Sequence, residues 1–222
     1  MKENLYKKIT NSWITSALLL ASTFLISIAV YDQLPELMAS HWNFAGEADG
    51  YSGKFSGAFL MPIVSLAVFF LFLFFPKIDP KKENVAKFIG DYIGFANVFL
   101  LFMLYVHVLT IAVNLGYEFN FNRLVAPGFA VLFYGIGSVL PKVKPNWFIG
   151  IRTAWTLSSD IVWEKTHLLG GKLFKSSGVL ALLGIFFVKY AVFFIILPVV
   201  VSAIYLIIYS YLEHRRLVRN VT

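Results

Sequence analysis

From residue 173 to residue 211 the chain is almost continuously apolar, a run of 39 residues. One helical crossing of a hydrocarbon core about 30 Å thick needs about 20 residues. A run twice that long therefore reads as two spans, at 173–188 and 191–211, joined by a tight turn near Lys189 and Tyr190. Four shorter apolar runs precede it, at 13–31, 57–75, 91–113 and 124–140. The expected fold class is all-α: a polytopic bundle of six transmembrane helices forming a single membrane domain over residues 1–222. Composition agrees, since 59% hydrophobic and 14% charged side chains are too apolar a mixture for a soluble domain. The absence of cysteine removes disulfides, thiol nucleophiles and thiolate metal ligands together.

The net charge of +7 does not point to nucleic acid, because the basic residues are scattered between apolar runs and form no stripe. It reads instead as topology. With both termini inside, 16 of the 19 Lys and Arg residues fall on the cytoplasmic side, and only Lys54, Arg123 and Lys189 lie outside, as the retention of basic loops in the cytoplasm requires. The expectation is a multi-pass plasma-membrane protein with cytoplasmic N- and C-termini, an extracellular loop at 32–56 and a cytoplasmic elbow at 141–172. A cleaved signal peptide is the rival for the N-terminus: Lys2, Lys7 and Lys8, an apolar core and Ser27-Ile28-Ala29 fit loosely. The run exceeds the roughly 7–15 apolar residues of such peptides, which favours a span.

Within the spans, Pro62 is placed in the first turns of the second, where a missing amide costs little. Pro76 and Pro80 hold the following loop off helix, and Pro198 is expected to kink the last span. Gly128, Gly135 and Gly137 permit close helix contact in the fourth span, and Gly90 with Gly94 forms a small-xxx-small pair. Asn97 and His107 are the intramembrane polar residues. An ionisable group at such depth is either functional or a neutral imidazole bonded to a neighbouring helix. No acid lies at depth to partner His107 in a proton relay, which favours the structural role. His107 and the glycine-rich fourth span are also what a transporter, the alternative function, would use.

The loop at 32–56 carries His41, Trp42, Asn43, Glu47 and Asp49. One histidine among carboxylates is a poor zinc site, so these residues are read as folding the loop or facing a cationic, amphipathic ligand. In the elbow, Ser158-Ser159-Asp160 looks like a helix N-cap with an acidic first turn, followed by about ten helical residues and a stop at Gly170-Gly171. Trp163 and His167, four apart, share one side of that helix. Trp147, Phe148, Ile149, Trp155 and Trp163 suit the headgroup level, which makes the elbow an interfacial anchor. The sharper reading is a polar cluster of Arg152, Asp160, Glu164 and His167 that braces the bundle or receives a cytoplasmic partner. No nucleophile, base and oxyanion donor fall at one place by spacing, so neither an enzyme nor a cofactor is expected.

The stretch from Asn146 to Phe174, NWFIGIRTAWTLSSDIVWEKTHLLGGKLF, resembles the C-terminal signature of the SdpI family of bacterial immunity membrane proteins. Its elements recur in order: Gly150-Ile151-Arg152-Thr153, Trp155-Thr156-Leu157, Val162-Trp163 and Thr166-His167; Asn146, Trp147 and Gly171 complete the candidate functional cluster of the elbow. LPELMASHWNFAGEADGYSGK with the following LMP resembles the N-terminal domain of unknown function often joined to it. Ala154 departs from the family's common Pro and loosens the turn; Leu168 replaces a common basic residue and removes a charge from a partner surface. The resemblance implies a non-enzymatic protein that resides in the lipid bilayer and binds an extracellular, membrane-active peptide or protein toxin of the SDP type. It also implies signalling through a cytosolic transcriptional repressor held at the membrane.

Overall fold

The computed structural model describes residues 2–219, with side chains described from Trp13 onward; the basic side chains of Lys2, Lys7 and Lys8 lie outside the described residues. Among those described, six helices are long and apolar enough to cross a membrane. Five of them are α1 (Lys2–Val30), α2 (Lys54–Ile78), α4 (Ile89–Asn114), α5 (Phe121–Val139) and α8 (Ala191–Arg219). The sixth is α7 (Asp160–Ala181), and short helices α3 (Lys82–Ala86) and α6 (Ala154–Ser158) sit in the connections. The loop between α1 and α2 contains a two-stranded antiparallel hairpin, β1 (Leu37–Trp42) and β2 (Ala48–Gly53), paired from Leu37 with Gly53 to Trp42 with Ala48 and irregular around His41. At that irregularity a Cβ at Gly50 would lie 2.8 Å from the His41 Cβ, closer than real side chains allow.

The helices form two groups of three. α1, α2 and α4 pack together, α5, α7 and α8 pack together, and α4 against α5 joins them. A cluster of Leu109, Val125, Ala126, Phe133, Ala181 and Ile195 packs at the junction. Tyr92, Ile93, Val143 and Trp163 pack at the end that carries the elbow, and Leu34, Met38, Ala58 and Ile111 pack beneath the hairpin.

The stop expected at Gly170-Gly171 is absent: α7 runs unbroken from Asp160 to Ala181, so this helix begins well before residue 173. The glycines serve packing instead. A Cβ on Gly137 of α5 would lie 2.7 Å from the Gly171 carbonyl oxygen of α7, and one on Gly178 would lie 2.7 Å from the Ala130 carbonyl oxygen. The two backbones touch at contacts only glycine permits. Continuation also wins because ending a helix amid apolar surroundings would strand its last carbonyls. The Gly90 and Gly94 pair meets nothing within 4 Å, so the small-residue contact expected there does not form.

Two further corrections concern α2. The helix begins at Lys54, which puts Pro62 inside it, and it continues through Pro76 rather than stopping there. A proline has no N–H for the carbonyl four residues earlier, so Ala58 and Phe72 each lose their helical donor. Both are served from other helices. The Ser27 hydroxyl on α1 donates to the Ala58 oxygen at 2.6 Å, and the Tyr92 hydroxyl on α4 donates to the Phe72 oxygen at 2.9 Å. The ring Nε2 of His107 lies 3.0 Å from the Ser27 Oγ. With the serine proton directed at Ala58, His107 donates its Nε2–H to Ser27, so this buried imidazole helps tie α1, α2 and α4 at one point.

Candidate functional site

The hairpin is held to the helices by side chains that act as substitute strand neighbours. Asn114, the last residue of α4, accepts from the Ala39 amide at 2.7 Å and donates to the Ala39 carbonyl at 3.0 Å, satisfying the edge of β1 that β2 does not cover. Asn120 caps α5 by accepting from the Arg123 amide and donates to the Ala45 carbonyl at 2.6 Å. Asn122 donates to the Asn43 and Phe44 carbonyls, and Trp42 stacks on Phe121 at 3.7 Å. Asn43 closes the turn, its side-chain oxygen accepting from the Ala45 and Glu47 amides. Gly46 takes φ +81° there and packs against Asn120. Of the five loop residues singled out by sequence, Trp42 and Asn43 therefore build the hairpin, whereas His41, Glu47 and Asp49 are exposed. His41 Nδ1 and Asp49 Oδ1 pair at 2.5 Å. Among the described residues no three His, Asp or Glu side chains group as a metal site.

At the opposite end of the bundle, the irregular segment 143–153 has almost no secondary structure, and side chains supply its hydrogen bonds. Buried Asn146 accepts from the Phe148 and Ile149 amides and donates to the Lys144 and Ile149 carbonyls. Trp163 donates its indole N–H to the Val143 carbonyl at 2.8 Å. Buried Asp79 accepts from the Trp147 amide, Asn84 donates to the Pro145 carbonyl, and Arg152 donates to the Trp147 carbonyl. Thr153 and Thr156 form a reciprocal capping box for α6, and Thr153 also reaches Ser210 of α8 at 3.0 Å.

His167 completes this set. Its Nδ1–H donates to the Trp163 carbonyl at 2.8 Å and its Nε2 accepts from the Ile151 amide at 3.0 Å. Those two bonds specify a neutral ring with the proton on Nδ1. The imidazole is buried and stacked on Trp163 at 4.2 Å. Gly150 stands directly over it at φ +109°, where any Cβ would overlap the ring.

The expected polar cluster is not assembled by direct bonds. Arg152, Asp160 and Glu164 are exposed, and His167 is bonded to backbone rather than to any of them. Trp163 is buried instead of lying at the lipid interface; Trp147 is half exposed and Trp155 packs on Tyr211. Ser159 caps α7, with Asp160 in its first turn. Asn97 accepts from Ser16 of α1 at 2.5 Å. Asp91, in the first turn of α4, pairs with Lys142 at 2.6 Å.

Sequence reasoning missed Asp79, Asn84, Asn120, Asn122 and the Lys165 to Glu213 ion pair at 2.7 Å. A signal for two of these was present: Asp79 precedes a proline, a turn-initiating pair, and Asn120 is a cap-type residue lying within one turn of the apolar run that begins at Leu124.

The Gly150 contact generates a test. Gly150→Ala should cost about 2–4 kcal/mol, since it combines a left-handed backbone with overlap of the His167 ring. Gly90→Ala, in open space, should stay within about 0.5 kcal/mol of the parent. Unfolding in detergent micelles measures both, and equal small effects would contradict the site as described.

Residues 142–210 match the SdpI/YfhL protein family, and residues 18–66 match a domain of unknown function, DUF1648. The first segment takes in the elbow, α6, α7 and much of α8; the second takes in part of α1, the hairpin and the start of α2. "Immunity protein SdpI" of Bacillus subtilis (strain 168) is 24% identical over 205 residues, which cover 92% of this chain and 96% of that protein. No solved structure matches. With both segments in order, a relative aligned along nearly the whole chain and six helices of spanning length, this is a multi-pass membrane protein similar to SdpI/YfhL proteins over residues 142–210 and to DUF1648 over residues 18–66.

Proposed function

We propose that the chain protects its cell against an extracellular, membrane-active toxin of the SDP type, and that it does so by binding the toxin at the hairpin end. The name of its Bacillus subtilis relative supports an immunity role. The observation that carries the binding surface is the strapped hairpin, fastened to α4 and α5 by Asn114, Asn120 and Asn122 while Glu47 and Asp49 stay exposed. A recognition surface with fixed geometry loses little ordering entropy on binding. Acids predominate at this end, where Asp32, Glu36, Glu47, Asp49 and Glu118 stand against Lys54, Arg123 and Lys189. Such a surface attracts a cationic, amphipathic peptide and speeds its encounter.

This reading places the hairpin outside and the elbow with both termini in the cytoplasm. The distribution of Lys and Arg supports that orientation. A cytosolic repressor would then meet the exposed face of the elbow, where Arg152, Asp160 and Glu164 stand near Trp147 and Ile161.

The decisive experiment is survival of a toxin-sensitive bacterium expressing the chain, against an empty control. Protection is expected from the parent, with a drop of about tenfold or more in the tolerated dose for Glu47→Lys with Asp49→Lys, equivalent to roughly 1.4 kcal/mol of lost binding. Unchanged protection at equal membrane abundance would remove the hairpin from the toxin site. Because the chain has no cysteine, single substitutions report sidedness directly. Ala45→Cys should react with an impermeant maleimide on intact cells and Ser158→Cys only after lysis; the opposite pattern would invert the orientation.

A further inference from the structure

Beneath the hairpin lies a cavity of about 710 Å³, bounded by α2, α4, α5 and α8. That size falls in the range of about 300–1,000 Å³ typical of small-ligand sites. The cavity lies at the junction of the two helix groups, and α2 and α8 form its opposite lips. Leu60 and Val64 on α2 and Ile196 on α8 line it, yet they are 61%, 40% and 51% exposed. Residues that face a cavity and the outside together mark its mouth, and here that mouth opens sideways, between helices whose outer faces contact lipid. Ser56 and Val64, both in the lining, are eight residues apart on α2, so the cavity reaches about 12 Å down from the hairpin. Deeper inside, Met103 and Ile195 are lining residues only 8% and 4% exposed.

We propose that this cavity binds the acyl chain of a membrane lipid, which enters from the bilayer between α2 and α8 with its headgroup end at the hairpin. The polarity gradient matches an amphiphile in that orientation. Ser40, His41, Ser52 and Ser56 border the hairpin end, and the Ser52 hydroxyl is buried with no hydrogen-bond partner among the described atoms. Below them the walls are mainly aliphatic and aromatic, and no Asp, Glu, Lys or Arg lines the cavity. A peptide segment would bring backbone N–H and C=O groups that each need a partner in such surroundings. Thr110 and Asn122, polar residues of the lining, already bond to protein carbonyls. An acyl chain needs no such partners. This inference is independent of the immunity reading, and its test contains no toxin.

The full chain is reconstituted in vesicles of phosphatidylethanolamine and phosphatidylglycerol that include a phosphatidylglycerol with a photoreactive diazirine on its acyl chain, and crosslinked peptides are mapped by mass spectrometry. Labelling is expected at Met103 and Ile195, which lipid surrounding the bundle cannot reach, as well as at Phe186, which is 77% exposed. Val64→Trp and Ile196→Trp narrow the mouth from opposite lips at exposed positions, so the packed interior is untouched. Each should lower labelling at Met103 and Ile195 about fivefold or more, a change of roughly 1 kcal/mol in occupancy, and leave Phe186 unaffected. Labelling confined to exposed positions such as Phe186, or unchanged by both variants, would overturn the proposal. Displacement of the lipid label by a hydrophobic transmembrane peptide would also overturn it, by reassigning the cavity to a peptide.

Discussion

A peptide carbonyl inside hydrocarbon has no water to turn to, and leaving it without a donor costs several kcal/mol. The net gain from any one hydrogen bond between helices is smaller, about 0.6 kcal/mol on average, so avoiding the loss matters more than collecting the gain. Much of the polar chemistry in this bundle follows that inequality. Ser27 and Tyr92 serve the two carbonyls that prolines disable in α2. Asn114 serves both backbone groups of Ala39 at the hairpin edge. Asn146, Asp79, Asn84, Trp163 and His167 do the same for the irregular elbow.

The segment that matches the SdpI/YfhL model can be read the same way, atom by atom. In the elbow the invested residue types are those that can bond to main chain from a fixed position: an amide with two donors and two acceptor sites, an imidazole with one of each, an indole donor, paired threonines. Gly150 belongs with them because its positive φ and missing Cβ let the chain pass over the His167 ring. The elbow is thereby a braced structure, and its reactive-looking groups have their bonding capacity directed inward. What remains exposed is the acids on the hairpin at one end and the charged outer face of the elbow at the other.

The spans were legible in the sequence because length and hydropathy are one-dimensional quantities, and the Ser159 cap was legible because a cap is local. Three features were not legible, each for a three-dimensional reason. Gly170-Gly171 reads as a helix stop until α5 is known to lie against it, when the same glycines become a seam. Pro62 and Pro76 read as marginal positions or helix breakers until Ser27 and Tyr92 are seen to replace the missing donors. Arg152, Asp160, Glu164 and His167 read as a cluster by spacing, yet burial separates them: one ring turns into the bundle and three charges stay outside. The hairpin was visible only as turn chemistry, because its strands are six residues each and depend on Asn114, Asn120 and Asn122 from distant sequence.

If unserved backbone is what the buried polar side chains answer to, removing the cause should remove much of the need. The most direct measurement is a double-mutant cycle in detergent-solubilised protein between Ser27→Ala and Pro62→Ala. In the parent, Ser27→Ala strands the Ala58 carbonyl and should cost about 1–2 kcal/mol. In the Pro62→Ala background the helix supplies its own N–H to Ala58, and the cost should fall by about 1 kcal/mol, leaving only the lost contact with His107. Equal costs in the two backgrounds would show that Ser27 does not answer to the proline, and the principle drawn from α2 would not hold.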